Sequence, residues 1–196
     1  MAKAVFDTHG EILAAAARRF AVTGYRGTSL QDIAREVGCS KATVLYHFAN
    51  KEALLAELMS PAIAVLRDLD DQLTGLTGAA AQQAAGVGFV DLAVRFRGEI
   101  ALLRGQFSEL LCQPAFAHIQ QISERLRDAL AGHSDRPVAR ITALVLLAGI
   151  PEACAEFVDI PDDELRVALL SLVRQALEPV DDTRLPQPPT TEDKES

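Results

Sequence analysis

The chain has 196 residues, 49% of them hydrophobic, and 19 Lys and Arg against 27 Asp and Glu give a formal net charge of −8. That length buries a substantial core and fits one medium domain or a small domain joined to a larger one. The longest apolar run, Ala143 to Ile150, falls short of the roughly 20 residues of a membrane span, no signal-peptide apolar region opens the chain, and Cys39, Cys112 and Cys154 are too scattered for a disulfide framework or a metal cluster; the expectation is a soluble, cytoplasmic protein without membrane contact, metal or cofactor. The charge is uneven: residues 1–52 carry a net +2 and the remainder −10. Any contact with a polyanion is therefore expected to be local and N-terminal.

Apolar residues recur at helical spacing almost throughout, so the fold class is all-α. Thr8 and Glu11 read as a capping box opening a helix with the stripe Ile12, Leu13, Ala16, Ala17 and Phe20, stopped at Gly24. Thr28 and Gln31 read as a second box, opening a helix with Leu30, Ile33, Ala34 and Val37 on one face. Gly38 ends that helix, Ser40 caps a short third one running to about His47, and Asn50 caps a fourth. The fourth keeps Leu55, Leu58, Ala62, Leu66, Leu69 and Leu73 near heptad spacing, but Pro61 predicts a kink or a fresh start capped by Ser60. Residues 74–80 read as a loop, and further helices are expected near 81–98, 99–112, 115–132, 137–158 and 162–178, with Pro151 inside one of them. The prolines and mixed charges of 181–196 predict a disordered tail.

The second and third helices, joined by Gly38-Cys39-Ser40, form a helix-turn-helix candidate. At about 100° per residue, turning Val44 and Phe48 inward points Ala42 and Tyr46 out, with Thr43 and Leu45 on the flanks and Lys41 at the entry. Such a face is small and polar enough to enter a major groove. Thr28, Ser29, His47 and Lys51 lie where groups that hold phosphate would be needed. By spacing alone, an ordinary small helical domain with a glycine turn is the more readily available reading.

The run from Gly27 to Leu55, extended back through Ile12, Ala16, Phe20 and Gly24, closely resembles the N-terminal domain of TetR-family transcriptional regulators. The resemblance covers about residues 8–58. It implies an N-terminal three-helix DNA-binding domain (1–52), a C-terminal helical ligand-binding and dimerisation domain (53–180), and a homodimer on a palindromic double-stranded DNA operator, released by a small-molecule effector. Carried over by position, Lys41, Thr43 and Tyr46 approach bases or nearby phosphates, with Ala42 and Leu45 beside them on the DNA-binding face, and Thr28, Ser29, His47 and Lys51 hold the backbone. Ala42 and Leu45 depart from the glycine and the aromatic that many members carry, which leaves the operator sequence open.

In the second domain, Phe89, Phe96, Phe107, Phe116, His118 and Glu152 are the candidates for an effector pocket, against the alternative that each phenylalanine is simply core. The stripes Ile141, Leu144, Val145 and Ala148, and Leu165, Leu169, Leu172, Val173 and Ala176, are wider than one core face needs; the resemblance implies that these two helices form the dimer interface. An enzyme finds no supporting motif: no Gly-x-Ser-x-Gly, phosphate-binding glycine loop, His-Glu-x-x-His or Cys-x-x-Cys occurs. A ligand-independent DNA-binding protein stays open as the alternative, to be separated by whether the helices of 81–158 enclose a cavity.

Overall fold

The computed structural model describes residues 7–102 and 116–178, and the described residues form helices without a strand. Phe107 and the expected tail 181–196 lie outside the described residues. The N-terminal part holds α1 (Thr8–Gly27), α2 (Leu30–Val37), α3 (Lys41–His47) and α4 (Lys51–Leu58). The remainder holds α5 (Ser60–Leu73), α6 (Gly78–Arg95), α7 (Arg97–Leu102), α8 (Ala117–Leu130), α9 (Pro137–Glu156) and α10 (Asp162–Leu177).

Both expected caps move by one residue, and only the second is a capping box. Asp7, not Thr8, caps α1, its Oδ1 accepting from the Gly10 amide at 3.0 Å. Ser29 and Asp32, not Thr28 and Gln31, form the box at α2: the Asp32 amide donates to Ser29 Oγ at 3.2 Å and the Ser29 amide to Asp32 Oδ2 at 3.0 Å. At α2 the reason is burial. Thr28 is only 2% exposed, and its hydroxyl donates inward to the Gly24 carbonyl at 2.9 Å. Gly24 breaks α1 as expected, but at φ 73°, ψ 162° rather than in a left-handed helical cap, and one further turn follows it. Gly38 does adopt the left-handed conformation (φ 78°, ψ 26°), which lets the Cys39 amide donate back to the Ala34 carbonyl at 2.9 Å and turns the chain into α3. Ser40 and Asn50 cap α3 and α4 through the amides of Thr43 and Ala53, at 3.0 and 2.7 Å.

Pro61 produces the fresh start. It occupies the first turn of α5, where its missing amide costs nothing, while Met59 keeps a right-handed helical conformation across the joint and Ser60 makes no side-chain cap. The α6 helix begins at Gly78, ahead of the expected loop end, because Ala79 and Ala80 are strong helix formers.

Two hydrophobic clusters organise the molecule. One gathers Ile12, Phe20, Ile33, Val44, Phe48 and Leu55 of the N-terminal helices and reaches Leu92, Phe96, Phe116 and Ile119. The other gathers α6, α8, α9 and α10 around Val90, Leu130, Leu146 and Leu169. Leu66 and Ile100 pack against both, and α7 touches α1 on one side and α9 on the other. Ion pairs lie over these cores: Arg166 Nε donates to Asp91 Oδ1 at 2.6 Å, Arg125 pairs with Asp70, and Arg97 reaches the Ile160 carbonyl at 2.8 Å and Asp162 at 3.0 Å.

The run-by-run reading of the sequence misses one property of α9. Over 18 residues its mean hydropathy is 1.6, long and apolar enough by length and composition to cross a membrane, yet only 28% of that window is buried. Thr142 and Pro151 bound the apolar run, but the flanking residues are apolar enough to keep the longer window's average high. Its inward face, Ala143, Leu146, Ile150 and Cys154, belongs to the second core, whereas Val138, Ile141, Leu144 and Val145 are exposed.

The centre of the second core is α6, which packs against α10 at close range. A Cβ at Gly86 would lie 2.6 Å from Val173 Cγ1, and a β-branched neighbour has little room to give. Gly86→Ala should therefore destabilise the protein by about 1 kcal/mol, overpacking outweighing the gain in helix propensity. Urea unfolding measures this, and a more stable variant would mean that α10 moves aside freely.

Candidate functional site

The outward face of α3 has the composition expected of it. Val44 and Phe48 are buried, while Lys41, Ala42, Leu45 and Tyr46 are exposed, Tyr46 by 86%. Thr43 is half-buried, its hydroxyl 2.9 Å from that of Ser40. Tyr46 is held by aromatic contact rather than by a hydrogen bond: its ring meets His47 edge-on at 5.3 Å. His47 in turn meets His9 edge-on at 5.7 Å, and His9 stacks on Phe48 at 4.6 Å with its Nε2 2.5 Å from Glu57 Oε1. A continuous path of side chains thus joins the outermost residue of α3 to the last turn of α4. Sequence reasoning missed His9 and Glu57, and a pair 48 positions apart leaves no periodic signal.

Three of the residues expected to hold phosphate are otherwise engaged. The Thr28 hydroxyl points into the core, as above, and lies 2.8 Å from the Thr23 hydroxyl. Ser29 Oγ donates to Asp32 Oδ2 at 2.5 Å, so a carboxylate already sits at the α2 N-terminus and gives that end a negative charge. Lys51 turns inward: its Nζ donates to the carbonyls of Tyr25 at 2.7 Å and Thr28 at 3.0 Å and rests 4.2 Å from the centre of the Tyr25 ring. Burial lowers the Lys51 pKa, with the Glu52 carboxylate opposing. Burial, reinforced by the Glu52 charge, pushes the Tyr25 phenol up. Lys51 thereby straps the start of α4 to the turn between α1 and α2. His47 remains half-exposed beside Tyr46.

A second feature lies where the two cores meet. A cavity of about 250 Å³ opens among α4, α5, α6, α7, α8 and α9. Leu55 and Met59 line it at the α4–α5 joint, Leu66 and Ile100 from the shared boundary, and Phe89 and Phe116 from either core. Among its described lining residues Ser123 carries the only polar side chain, and none is charged. Of the sequence candidates, Phe89 and Phe116 belong to it. The others do not. Phe96 is buried in the N-terminal cluster under the Arg95 guanidinium, 5.1 Å from its ring centre. His118 is exposed on α8, where its Nε2 accepts from Arg67 Nε at 3.1 Å. Glu152 is exposed on α9. Phe96 and Glu152 share a helical face with lining residues but lie farther along their helices, which a list of aromatic and titratable residues does not register.

Residues 12–58 match the family model described as bacterial regulatory proteins, tetR family. The N-terminal domain is that of the tetR family. Over 143 residues, 73% of this chain, the sequence is 31% identical to the HTH-type transcriptional regulator RutR of Escherichia coli, and over 129 residues it is 26% identical to the HTH-type transcriptional repressor KstR2 of Mycobacterium tuberculosis. The matched region spans less than two thirds of these relatives' own length, 64% of RutR and 62% of KstR2. The fold extends further. The solved structure of the ketosteroid transcriptional regulator KstR2 superposes with a TM-score of 0.65 at 19% identity, covering 88% of this chain and 94% of that one. Mycobacterium smegmatis AmtR superposes with a TM-score of 0.64 at 23% identity, covering 92% and 90%.

The internal electrostatics of this TetR domain predict its acid response. Hydrogen bonds from the hydroxyl and amide of Ser29 lower the Asp32 carboxyl, and the hydrogen bond from Arg18, at 2.8 Å, lowers that of Glu36. Both folded values lie below the unfolded ones, so the stabilisation is complete above about pH 4–5 and is lost as pH falls through the folded values. Ser29→Ala should weaken this acid dependence, measured as melting temperature between neutral pH and about pH 3. An unaltered profile would remove Asp32 from the acid-sensitive groups.

Proposed function

We propose that the protein is a sequence-specific DNA-binding transcriptional regulator of the cytoplasm, a homodimeric repressor that leaves a palindromic operator when an uncharged, apolar small molecule enters the cavity. The family of the N-terminal domain and the outward face of α3 support DNA binding. Lys41, Ala42, Thr43, Leu45, Tyr46 and His47 form the reading set, and two such sets must fall in major grooves one turn apart, about 34–36 Å. Thr28, Ser29 and Lys51 are positioning residues in this account, because their polar atoms are spent inside the domain. DNA binding needs no enzymatic group.

The observation that carries effector control is the place of the cavity. Its wall is made by residues of both cores and by the α4–α5 joint, so a molecule filling it changes how the reading domain sits on the helical body. The volume falls just below the usual range of ligand pockets, about 300–1,000 Å³, and its lining suits an apolar molecule with at most one hydrogen bond, to Ser123. Exposed Val138, Ile141, Leu144 and Val145 of α9 and Leu172 of α10 supply the apolar surface for the dimer. A ligand-independent repressor would have no use for an open seam at the joint.

Fluorescence anisotropy with DNA from directly upstream of the gene, against scrambled DNA across a salt series, tests the reading. Tight and selective binding supports it, and equal binding to both, extended to a selection from genomic fragments, would sink it. Tyr46→Ala should cost specific binding about 1–3 kcal/mol and leave random DNA nearly unaffected; an equal loss on both would deny a base contact. Lys51→Ala should destabilise the domain by about 1–2 kcal/mol while keeping the slope of affinity against salt. A slope reduced by about one unit would return Lys51 to the phosphate contacts.

A further inference from the structure

Tyr46 stands 86% exposed on α3, and its ring is met by His47 edge-on at 5.3 Å. An exposed side chain that samples several rotamers must be ordered when it docks on a base, and that ordering weakens binding. A side chain already held in one rotamer avoids the loss. Whatever fixes His47 therefore bears on how well Tyr46 reads DNA. His47 is itself half-exposed, and the ring that meets it from α1 is His9, edge-on at 5.7 Å.

His9 is the fixed point of this group. It lies in the first turn of α1, and contacts from two other elements hold it. Its ring stacks on Phe48 at 4.6 Å with 26° between the planes, and Phe48 is only 2% exposed. Its Nε2 donates to Glu57 Oε1 at 2.5 Å, since a carboxylate can only accept. The stack sets the plane of the imidazole, and the bond sets its rotation within that plane. The backbone beneath is fixed as well, because Asp7 caps the same turn through the Gly10 amide at 3.0 Å. The start of α1, the end of α3 and the last turn of α4 meet at this one ring.

We infer that His9 and Glu57 are positioning residues for operator recognition: by holding the His47 ring they preset the Tyr46 side chain for its base contact. The inference rests on the reading role of Tyr46 proposed above and extends the determinants of specificity to two residues outside α3. Their contribution is to selectivity and not to general affinity, because the attraction of the domain for phosphate does not depend on the Tyr46 rotamer.

The test measures fluorescence anisotropy of the full chain on its selected fragment and on random DNA, with the ratio of the two affinities taken as selectivity. His9→Ala should lower that ratio about threefold to tenfold, through the selected fragment alone and with the salt slope unchanged. Glu57→Ala should act in the same direction. Glu57→Gln removes the charge but keeps an accepting oxygen, and should restore the ratio that Glu57→Ala loses. In the Tyr46→Ala background, His9→Ala should lower the ratio no further, because its route to the DNA is gone. Partial unfolding lowers both affinities by one factor and leaves the ratio unmoved, so a weakened fold is not mistaken for lost positioning. An equal loss in both backgrounds, a changed salt slope, or a Glu57→Gln variant as impaired as Glu57→Ala overturns the inference. An unchanged ratio in His9→Ala, where Tyr46→Ala does lose selectivity, overturns the inference alone and leaves the Tyr46 base contact standing. If Tyr46→Ala itself keeps the ratio, the reading role of Tyr46 falls and this inference falls with it.

Discussion

Two apolar cores in one short chain must share a boundary, and the rest of this molecule depends on how that boundary is filled. Leu66 and Ile100 serve both cores, and α7 touches the reading domain and the helical body. Dense packing transmits displacement because it has no slack to absorb it. The cavity lies in that seam, beside Met59 and the proline start of α5. In the proposed mechanism a small apolar molecule in that void acts on both cores at once.

The reading domain is built to receive such a displacement as a rigid unit. Its ties are buried or short: the Lys51 amine on two carbonyls, the Ser29–Asp32 box, and the Arg18–Glu36 bond between α1 and α2. None leaves the domain. The path Tyr46, His47, His9 and Glu57 runs from the outer face of α3 to the end of α4, so the most exposed aromatic residue is braced from the side on which the joint lies. In the proposed mechanism the α4–α5 joint moves and the reading face keeps its shape.

Much of the architecture was legible because it depends on local chemistry. Gly38, Ser40 and Asn50 punctuate the chain through bonds to amides three or four residues away, and the stripe Leu30, Ile33, Ala34 and Val37 declares its buried face by spacing alone. The capping boxes were displaced because two candidate caps stood side by side in each case, at Asp7 and Thr8 and at Thr28 and Ser29. At the second pair burial decides which residue caps, and a threonine buried against Gly24 is not visible in a local pattern. The pocket candidates divided for a similar reason. Phe89 and Phe116 face the seam, whereas Phe96, equally aromatic, lies two turns on at the end of α6.

The sequence by itself determined the helices, the caps at Ser40 and Asn50, the stop at Gly38, the outward residues of α3 and the apolar excess of α9, since each follows from contacts within a few positions or from the period of one helix. Only the tertiary structure decided what those residues meet. It turned Lys51 onto the Tyr25 and Thr28 carbonyls, set His9 against Glu57 across 48 positions, and left a cavity where two cores fail to close completely. The physical reason is that helix formation is a local balance of hydrogen bonds and backbone entropy. Contacts between helices depend instead on the packing of whole faces, which no single segment encodes.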